Sequence, residues 1–282
     1  NAPLSSVIAK LPSSSSDRLR EIPYNYTSFS DKEIVCRFLG EDAWALLESL
    51  RTNRNTGRSA RMLFEVLGDM WVVDRNPYLQ EDLIKNQRRW KSLIGALNSR
   101  LDLVRKRANN NTKVLELLQS ADLAVTKFEH CLSDFKQHKK RIKQALLKVT
   151  NINNIRFDAL SRSAHATDAT DWRVEYPQVV ITPDTELEIA AIVKACIELK
   201  LTIIPRGGGT GYTGGAIPLH TQTAVINTEK LSFIDDIKNT NNLQSVNVGA
   251  GVITKRVSDL ATKNNLVFAV DPTSQDACTI GG

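Results

Sequence analysis

Glycine is concentrated between residues 205 and 219, and this stretch is the part of the sequence best suited to chemistry. Glycine loses more backbone entropy on folding than any other residue, so a dense run indicates that something approaches the backbone closely. Consecutive N–H groups in such a loop can form a concavity that binds an anion. Arg206 precedes the first glycine, and its guanidinium favours a phosphate as that anion. The glycines are Gly207, Gly208, Gly209, Gly211, Gly214 and Gly215.

Other loop types compete for the same residues. Residues 209–214 match the spacing G-x-G-x-x-G, which in a Rossmann fold must open a helix. Here Pro218 follows and residues 223–227 have the pattern of a strand, which excludes that reading. A Walker A loop is excluded because no Gly-Lys-Ser/Thr follows the glycines. Ordinary hairpin loops have about 2–5 residues, so the longer loop favours a phosphate cradle over a plain turn.

Three blocks in order along the chain carry a resemblance to a known family. Residues 205–215 (PRGGGTGYTGG) look like the pyrophosphate loop of the vanillyl-alcohol-oxidase type of FAD-binding domain, also called PCMH-type. Residues 246–252 (VNVGAGV) and 271–282 (DPTSQDACTIGG) are similar to segments of its D-lactate dehydrogenase and glycolate oxidase branch. The resemblance implies the first α/β subdomain of that domain and makes FAD the expected cofactor.

The same resemblance implies a non-covalent FAD site with two walls. In some relatives a histidine of the glycine loop is bonded to the flavin; Thr210 holds that position, so dissociable FAD is expected. The opposing wall would come from the second block, beside the flavin. The implied cofactor-binding residues are Arg206, Gly207, Gly208, Gly209, Thr210, Gly211, Gly214 and Gly215 in the loop, and Asp271, Pro272, Thr273, Ala277, Cys278, Thr279, Gly281 and Gly282 in the second block.

Two side chains near these blocks have both a functional and a structural interpretation. Cys278 would be a redox thiol or a small packed side chain, and the second is favoured. His165 lies where the branch carries an Ala-x-x-Thr-Asp segment, and it would be a catalytic base or an orienting or surface histidine. In relatives the base and the cations that bind the substrate carboxylate lie on a later domain, sometimes with a metal. We therefore assign no catalytic residue and no metal ligand to this chain.

The elements that position the loop follow from hydrophobic periodicity. Short β-branched runs predict strands at residues 179–183, 201–204, 224–227, 245–248 and 267–270, and Asp184 is predicted to cap a helix. Residues 253–264 predict a further helix. Before them, residues 83–101 and 114–149 carry apolar residues at spacings of three and four and predict a helical hairpin. Its apolar stripe would bind another helix, in the chain or in a partner subunit.

We expect an α+β protein with three parts. Residues 1–19 form a disordered tail, since the serine-rich start has nothing to bury. Residues 20–150 form a mainly helical extension, which a capping box from Ser30 to Glu33 opens. Residues 151–282 form an incomplete PCMH-type FAD-binding domain. Because the sequence stops inside the family's motif, it is interpreted as the N-terminal fragment of a longer protein.

Composition bears on location and partners. A net charge of +6 is too modest to argue for nucleic acid, and no apolar stretch approaches the ~20 residues of a membrane span. The four cysteines are scattered, which argues against disulfides or a zinc site and fits a reducing cytoplasm. A basic run at residues 136–148 is interpreted as a solvated face, with an anionic membrane surface or a partner as the lesser alternative. The expected location is the cytoplasm, with peripheral attachment to the inner membrane as an alternative.

The sequence of the N-terminal extension narrows the resemblance to one subgroup of the family. Residues 21–29, 56–64 and 74–79 resemble a large bacterial subgroup, whose members place this extension before the flavin domain and an iron–sulfur module after it. The implied function is FAD-dependent oxidation of a D-2-hydroxy acid, either 2-hydroxyglutarate or a lactate-like acid, with an unknown electron acceptor. 4Fe-4S clusters would lie beyond this chain, and the fragment alone would be inactive. The alternatives are another flavin oxidoreductase of this fold acting on an alcohol or sugar, or a helical interaction module with a vestigial flavin site. Self-association through the hairpin is also expected.

Overall fold

The computed structural model describes residues 30–170, 173–241 and 243–281. The predicted tail at residues 1–19 lies outside the described residues. The first described residues form helices packed on one another, which we call the helical part (residues 30–146). They are α1 (Asp31–Leu39), α2 (Glu41–Arg51), α3 (Gly57–Asp74), α4 (Pro77–Lys85), α5 (Gln87–Arg107) and α6 (Thr112–Leu146).

Local capping sets the ends of these helices. The predicted capping box is confirmed: the Ser30 hydroxyl accepts from the Glu33 N–H, and the Glu33 carboxylate accepts from the Ser30 N–H. Gly40, with φ of 91°, separates α1 from α2. The predicted helix over residues 83–101 is wrong at its start, because Asn86 ends α4 and caps α5 by accepting from the N–H of Arg89.

The predicted helical hairpin is confirmed, with α5 and α6 joined by residues 108–111. Trp90 and Phe128 meet between the two helices, with ring centroids 5.2 Å apart. The apolar stripe packs against α3, which shares one hydrophobic core with both helices. The helix that the stripe binds is therefore in the same chain.

The rest of the chain, the sheet part (residues 147–281), is built on a four-stranded mixed sheet with strand order β1-β2-β4-β3. Strand β1 is antiparallel to β2, and the other neighbours are parallel. A separate antiparallel hairpin is formed by β5 and β6. The elements are β1 (Ile155–Arg156), α7 (Ala159–Ala164), β2 (Val179–Ile181), α8 (Ile189–Glu198), β3 (Thr202–Arg206), β4 (Thr223–Asn227), β5 (Lys238–Thr240), β6 (Leu243–Ser245) and α9 (Thr254–Lys263). The predicted α+β class is confirmed.

Several predicted elements need correction. Strand β3 runs through Pro205 to Arg206, because pairing with β4 continues to its end. The predicted strand at 245–248 reaches only its first residue in β6, and Val248 makes an isolated bridge to Ile234. Residues 267–270 are not a strand: Val267 is 89% exposed and does not pack on a neighbouring strand.

Asp184 does not cap a helix. Its carboxylate accepts from the Asn154 amide at 2.9 Å and from the Lys230 ammonium at 2.7 Å. A short 3₁₀ turn, Glu186–Glu188, lies between it and α8. Asp184 therefore ties together the segment before β1 and the loops after β2 and β4, which meet at one edge of the sheet. The sequence pattern resembled a cap because the same residue types serve both purposes.

Helix α6 connects the two hydrophobic cores. Its first half packs in the core of the helical part, whereas Ile142 and Leu146 in its last turns are buried with strands β2 and β4 and helix α8. The boundary at residue 150 stays a prediction, and these turns already belong to the core of the sheet part.

A partly buried ionic cluster forms a second contact between the two parts. The Glu175 carboxylate accepts from Arg37 at 2.8 Å and from Arg75 at 3.1 Å. Arg75 is only 1% exposed, and its guanidinium lies 5.4 Å from the Trp71 ring centroid and 5.3 Å from that of Tyr176. Burial alone would lower the pKa of Arg37, but Asp74 and Glu175 raise it overall. The segment before β2 is thereby attached to the helices by charge.

Arg162 of α7 makes a neighbouring contact of the same kind. Its Nε donates to the Pro177 carbonyl at 2.8 Å, its Nη1 donates to the Gln80 side chain at 3.0 Å, and it lies over the Phe135 ring. Burial lowers the pKa of Arg162 to about 10. A cation held among carbonyl, amide and aromatic groups thus fills the interface next to the Glu175 cluster.

Candidate cofactor site

The glycine loop, residues 207–215, leaves the carboxyl end of β3, beside the parallel strand β4. Ligands of open α/β sheets bind at this edge. Within the described residues, no backbone N–H from Gly207 to Gly215 donates a hydrogen bond to a protein acceptor. Backbone donors are almost always satisfied in folded proteins, so a row of unpaired donors at this edge suits an anionic ligand.

The first two glycines of the loop are required by protein contacts. A Cβ on Gly207 would lie 2.0 Å from Thr279 Oγ1, and one on Gly208 would lie 2.2 Å from the carbonyl oxygen of Ala277. Both contacts are far below van der Waals distance. A Cβ on Gly207 would also lie 2.8 Å from the carbonyl oxygen of Gly281. The structure therefore brings the backbone of the loop into close contact with the second block, as the two-wall prediction requires.

The Arg206 side chain stabilises the glycine loop through hydrogen bonds to two backbone carbonyls. Its Nη1 donates to the carbonyl oxygens of Thr167 at 2.6 Å and Ala216 at 3.4 Å. Burial lowers the pKa of this guanidinium, while the nearby Asp168 acts in the opposite direction. Gly209 has a φ of +66°, and a Cβ there would lie 2.3 Å from the Arg206 guanidinium. The sequence suggested Arg206 as a phosphate ligand, and here it holds two backbone carbonyls.

The second half of the loop is open. A Cβ on Gly211 would meet nothing within 4 Å, and the Gly215 position has only Thr213 Oγ1 at 3.7 Å. Gly214 has a φ of +73°, which requires glycine. Thr210 is half-buried between the closed and open halves. The residues present therefore fit a pyrophosphate: donors without partners, space above them and a braced base.

The second block is attached to the first residue of α9, Thr254. The Thr254 N–H donates to the carbonyl of Cys278 at 3.0 Å, and the Thr254 hydroxyl lies 3.2 Å from the Cys278 sulfur. The Gly281 carbonyl accepts from the Thr228 and Thr279 hydroxyls at 3.2 and 2.8 Å. Cys278 is thus a half-buried side chain packed against a threonine.

The remaining predicted wall residues lie at the start of this block. Asp271 and Thr273 are exposed, and the carbonyl of Pro272 accepts from the Gln275 N–H at 2.9 Å, which closes a turn. Gly282 lies outside the described residues. Whether any of these groups contacts FAD stays a prediction.

His165 is held on both ring nitrogens next to this edge. Because Nδ1 lies 2.8 Å from the carbonyl of Ser161, Nδ1 carries the proton, and Nε2 accepts from the Asn227 amide at 2.9 Å. Burial lowers the pKa of His165. A neutral imidazole with both nitrogens engaged orients its neighbours, which favours the orienting interpretation over a catalytic base.

Sequence reasoning missed Asn227 and Thr228. Asn227 pairs with Arg206 across the parallel strands, and its side-chain oxygen accepts from the Glu229 N–H at 2.9 Å. Thr228 links the two blocks, since its N–H donates to the Arg206 carbonyl and its hydroxyl to the Gly281 carbonyl. The available signal was their position directly after a buried strand that neighbours the glycine loop.

The described residues offer neither a metal site nor a membrane-spanning helix. No group of three or more His, Cys, Asp and Glu side chains there is placed to hold a metal ion. No helix in that part of the chain combines the length and apolar character needed to cross a bilayer.

Two protein families match separate stretches of the chain. Residues 177–282 match the family described as "FAD binding domain". Residues 17–130 match the family described as "Protein of unknown function (DUF3683)". The first match contains both walls of the site, and the second contains most of the helical part.

Curated relatives match over the flavin part. The glycolate oxidase subunit GlcD of Escherichia coli K12 is 34% identical over 106 residues, which is 38% of this chain and 21% of that protein. The D-lactate dehydrogenase of Archaeoglobus fulgidus is 36% identical over 104 residues, covering 37% and 22%. A probable mitochondrial D-2-hydroxyglutarate dehydrogenase of Oryza sativa is 25% identical over 116 residues, covering 40% and 20%. This chain therefore spans between a fifth and a quarter of these relatives.

Solved structures with a similar arrangement include p-cresol methylhydroxylase with bound substrate, at a TM-score of 0.43 and 19% identity, covering 52% of this chain and 28% of that one. An alkyldihydroxyacetonephosphate synthase has a TM-score of 0.45 and 19% identity, covering 51% and 30%. These scores add no argument beyond the sequence match. Residues 177–282 of the chain therefore carry an FAD-binding domain. Over this part the chain is similar to glycolate oxidase subunits and a D-lactate dehydrogenase, which supports the predicted vanillyl-alcohol-oxidase type of domain and its D-lactate dehydrogenase and glycolate oxidase branch.

Proposed function

We propose that this chain is part of an FAD-dependent dehydrogenase that oxidises a D-2-hydroxy acid, such as 2-hydroxyglutarate or a lactate-like acid, to the 2-oxo acid. The observation that carries the proposal is the row of unpaired N–H groups from Gly207 to Gly215, closed on one side by the second block. The names of the relatives, which include D-lactate and D-2-hydroxyglutarate dehydrogenases, support the substrate class.

In this proposal the chain's own residues bind and orient the cofactor. The loop N–H groups would hold the pyrophosphate of FAD without a covalent bond, since Thr210 offers no ring nitrogen for attachment. Arg206 and Thr228 keep the loop in place through backbone carbonyls, and Cys278 would form part of the wall beside the flavin. FAD, when bound, supplies the acceptor for a hydride from the substrate α-carbon. The base and the carboxylate-binding cations are proposed to lie on a later domain.

We further propose the organisation of the whole protein on the subgroup resemblance. Residues 20–150 would form the helical extension and residues 151–282 the first subdomain of the flavin domain. An iron–sulfur module with 4Fe-4S clusters would follow in the full protein and pass electrons to an acceptor. The junction described above supports a fixed placement of the extension on the flavin domain, since ionic and apolar contacts join them.

The test is an anaerobic titration of the intact protein with D- or L-2-hydroxyglutarate and with D- or L-lactate, followed by flavin absorption. We expect one D acid to bleach the flavin stoichiometrically and its L enantiomer, the matched control, to leave it unchanged. A bound flavin that none of the four acids reduces, but that an alcohol or a sugar does, would instead support another oxidoreductase of this fold. Intact protein that takes up no FAD would favour an interaction module.

Self-association through the hairpin is a separate proposal. Leu123 on α6 is 59% exposed, and Leu103 on α5 and Leu115 on α6 are exposed by 43% and 39%. These leucines face away from the core that occupies the apolar stripe. We expect Leu123→Lys to lower the mass measured by light scattering from that of an oligomer to that of a monomer. The proposal is wrong if the wild-type protein is already a monomer, or if Leu123→Lys has the same oligomeric mass as the wild type.

A further inference from the structure

A cavity of about 200 Å³ lies where the last turns of α6 cross the edge of the sheet. Gln178, Leu201 and Gln222, which line it, directly precede β2, β3 and β4. The cavity therefore opens at the amino ends of the parallel strands, on the opposite edge from the glycine loop. By volume it holds about six or seven waters, too few for a dinucleotide and enough for a small ion.

The cavity is cationic at its rim. His138 and Arg141 reach it from α6, and Lys200 from the turn after α8. No carboxylate contributes to its lining, and within the described part of the chain neither Arg141 nor Lys200 forms an ion pair. Near the end of α8 the carbonyls of Ala195, Cys196 and Ile197 accept from the N–H groups of Leu199, Leu201 and Lys200, so these three carbonyl groups are already hydrogen-bonded. The charged side chains around the cavity thus favour an anion.

The floor of the cavity supplies a second, independent observation. Gln178 is only 6% exposed, and its Nε2 makes no hydrogen bond with any described residue. A buried amide donor without a partner costs about 1–3 kcal/mol of stability, so such groups usually have an acceptor. The apolar side chains of Ile142 and Leu201 beside it offer none.

We propose that this cavity binds a small oxyanion, with one oxygen accepting from the Gln178 amide and the others facing Arg141, Lys200 and His138. The shared chemistry is that of inorganic phosphate or a short dicarboxylate. Such an ion would connect α6 of the helical part to the strand starts of the sheet part. It would act away from the flavin, as a stabilising or regulatory ligand rather than as a substrate.

The experiment is calorimetric titration of the intact, FAD-saturated protein with phosphate and, separately, with succinate at constant ionic strength. We expect saturable binding of at least one of them, weakened about tenfold by Arg141→Gln, as loss of one charge-assisted hydrogen bond predicts. Lys140→Gln removes the same charge from an exposed site on the same helix outside the cavity and should leave the affinity within about twofold.

Gln178→Met tests the floor, because it keeps the side-chain length and removes the donor. It should also weaken binding about tenfold, while raising stability without the anion, since an unpaired donor is removed. The proposal is overturned if neither anion binds saturably, or if Arg141→Gln and Lys140→Gln bind alike. If Gln178→Met does not fold, the Arg141 and Lys140 pair decides. Tighter binding of phosphate would identify the ligand as a phosphate, and tighter binding of succinate would identify it as a short dicarboxylate.

Discussion

The helical part and the glycine loop are stabilised in contrasting ways. In the helical part, side chains fill one continuous apolar core, and capping residues satisfy the helix ends. In the loop, backbone meets backbone at Gly207 and Gly208, and the N–H groups are left without protein partners. The helical part is stabilised by contacts among its own side chains. The glycine loop instead leaves N–H donors available to a ligand and is held in place by neighbouring segments. The Glu175 cluster and Arg162 join the sheet part to the helices. We therefore expect the stability of the site to depend on the helical part, although that part contributes no residue to it.

The largest expected effect tests this dependence. Glu175→Ala removes the carboxylate that accepts from the buried guanidinium of Arg75, and breaking a buried pair in this way costs about 3–5 kcal/mol. Chemical denaturation should show this loss of unfolding free energy. Because the cluster joins both parts, we expect the helices and the flavin absorption to be lost at lower denaturant together.

Glu186→Ala is the matched control for that variant. Glu186 is also a glutamate of the sheet part, but it is exposed, and its removal should change stability by less than about 0.5 kcal/mol. Equal, small losses in both variants would show that the two regions are energetically independent, contrary to the comparison.

Substitution in the closed half of the loop should have the next largest effect. Gly208→Ala places a Cβ 2.2 Å from the Ala277 carbonyl oxygen, so the loop and the second block must separate. Such overpacking costs about 1–3 kcal/mol, and we expect lower stability of the apoprotein together with loss of FAD. Denaturation and the flavin-to-protein absorbance ratio measure the two effects.

Gly211→Ala makes the corresponding substitution in the open half of the glycine loop, where no protein atom lies against the glycine. A Cβ there meets no protein atom within 4 Å, so the apoprotein should keep its stability within about 0.5 kcal/mol. If the pyrophosphate lies on this half, FAD affinity should still fall. A Gly208→Ala protein as stable as Gly211→Ala would contradict the contact between the two walls.

The smallest expected effect concerns His165 and pH. Its folded-state pKa is lowered by burial, so below about pH 6.5 the unfolded state binds more protons than the folded state. Stability contributed by the neutral ring is therefore present above that pH and is lost as pH falls toward the folded-state pKa. We expect His165→Gln to cost about 1 kcal/mol at pH 7.5 and to flatten this part of the stability profile.

Denaturation series between pH 5 and pH 7.5 on both proteins measure that difference, with wild-type stability at each pH as the reference. Parallel profiles would mean that His165 protonates as easily when folded as when unfolded, and that its two hydrogen bonds do not hold it neutral.

Patterns with local causes were predictable from the sequence. The capping box at Ser30 and the two hairpin helices depend on residues a few positions apart, and both are confirmed. Residues 267–270 have the composition of a strand, but a strand also needs a neighbour to pair with, which lies outside any local window. Asp184 has a cap's composition and makes tertiary bonds instead.

The site shows the same division. Dense glycine indicated close approach to the backbone, but the sequence could not tell that part of the approach comes from Ala277 and Thr279. Arg206 was expected to face a ligand, and its partners, Thr167 and Ala216, are carbonyls that no motif marks. The residue types therefore indicated which hydrogen-bonding groups the site contains. The partner of each of these groups depends on tertiary contacts, which the sequence does not show.

Helix α6 has a consequence for how this chain can vary in length. Leu132 is buried in one core and Ile142 in the other, so the helical turns between them fix the direction of one buried face relative to the other. Deleting one residue there would rotate everything after it by about 100° and shift it by about 1.5 Å, turning Ile142 and Leu146 away from the sheet. Insertions of about seven or eleven residues would nearly restore the facing side. Natural relatives should therefore differ in this segment by such steps and not by single residues.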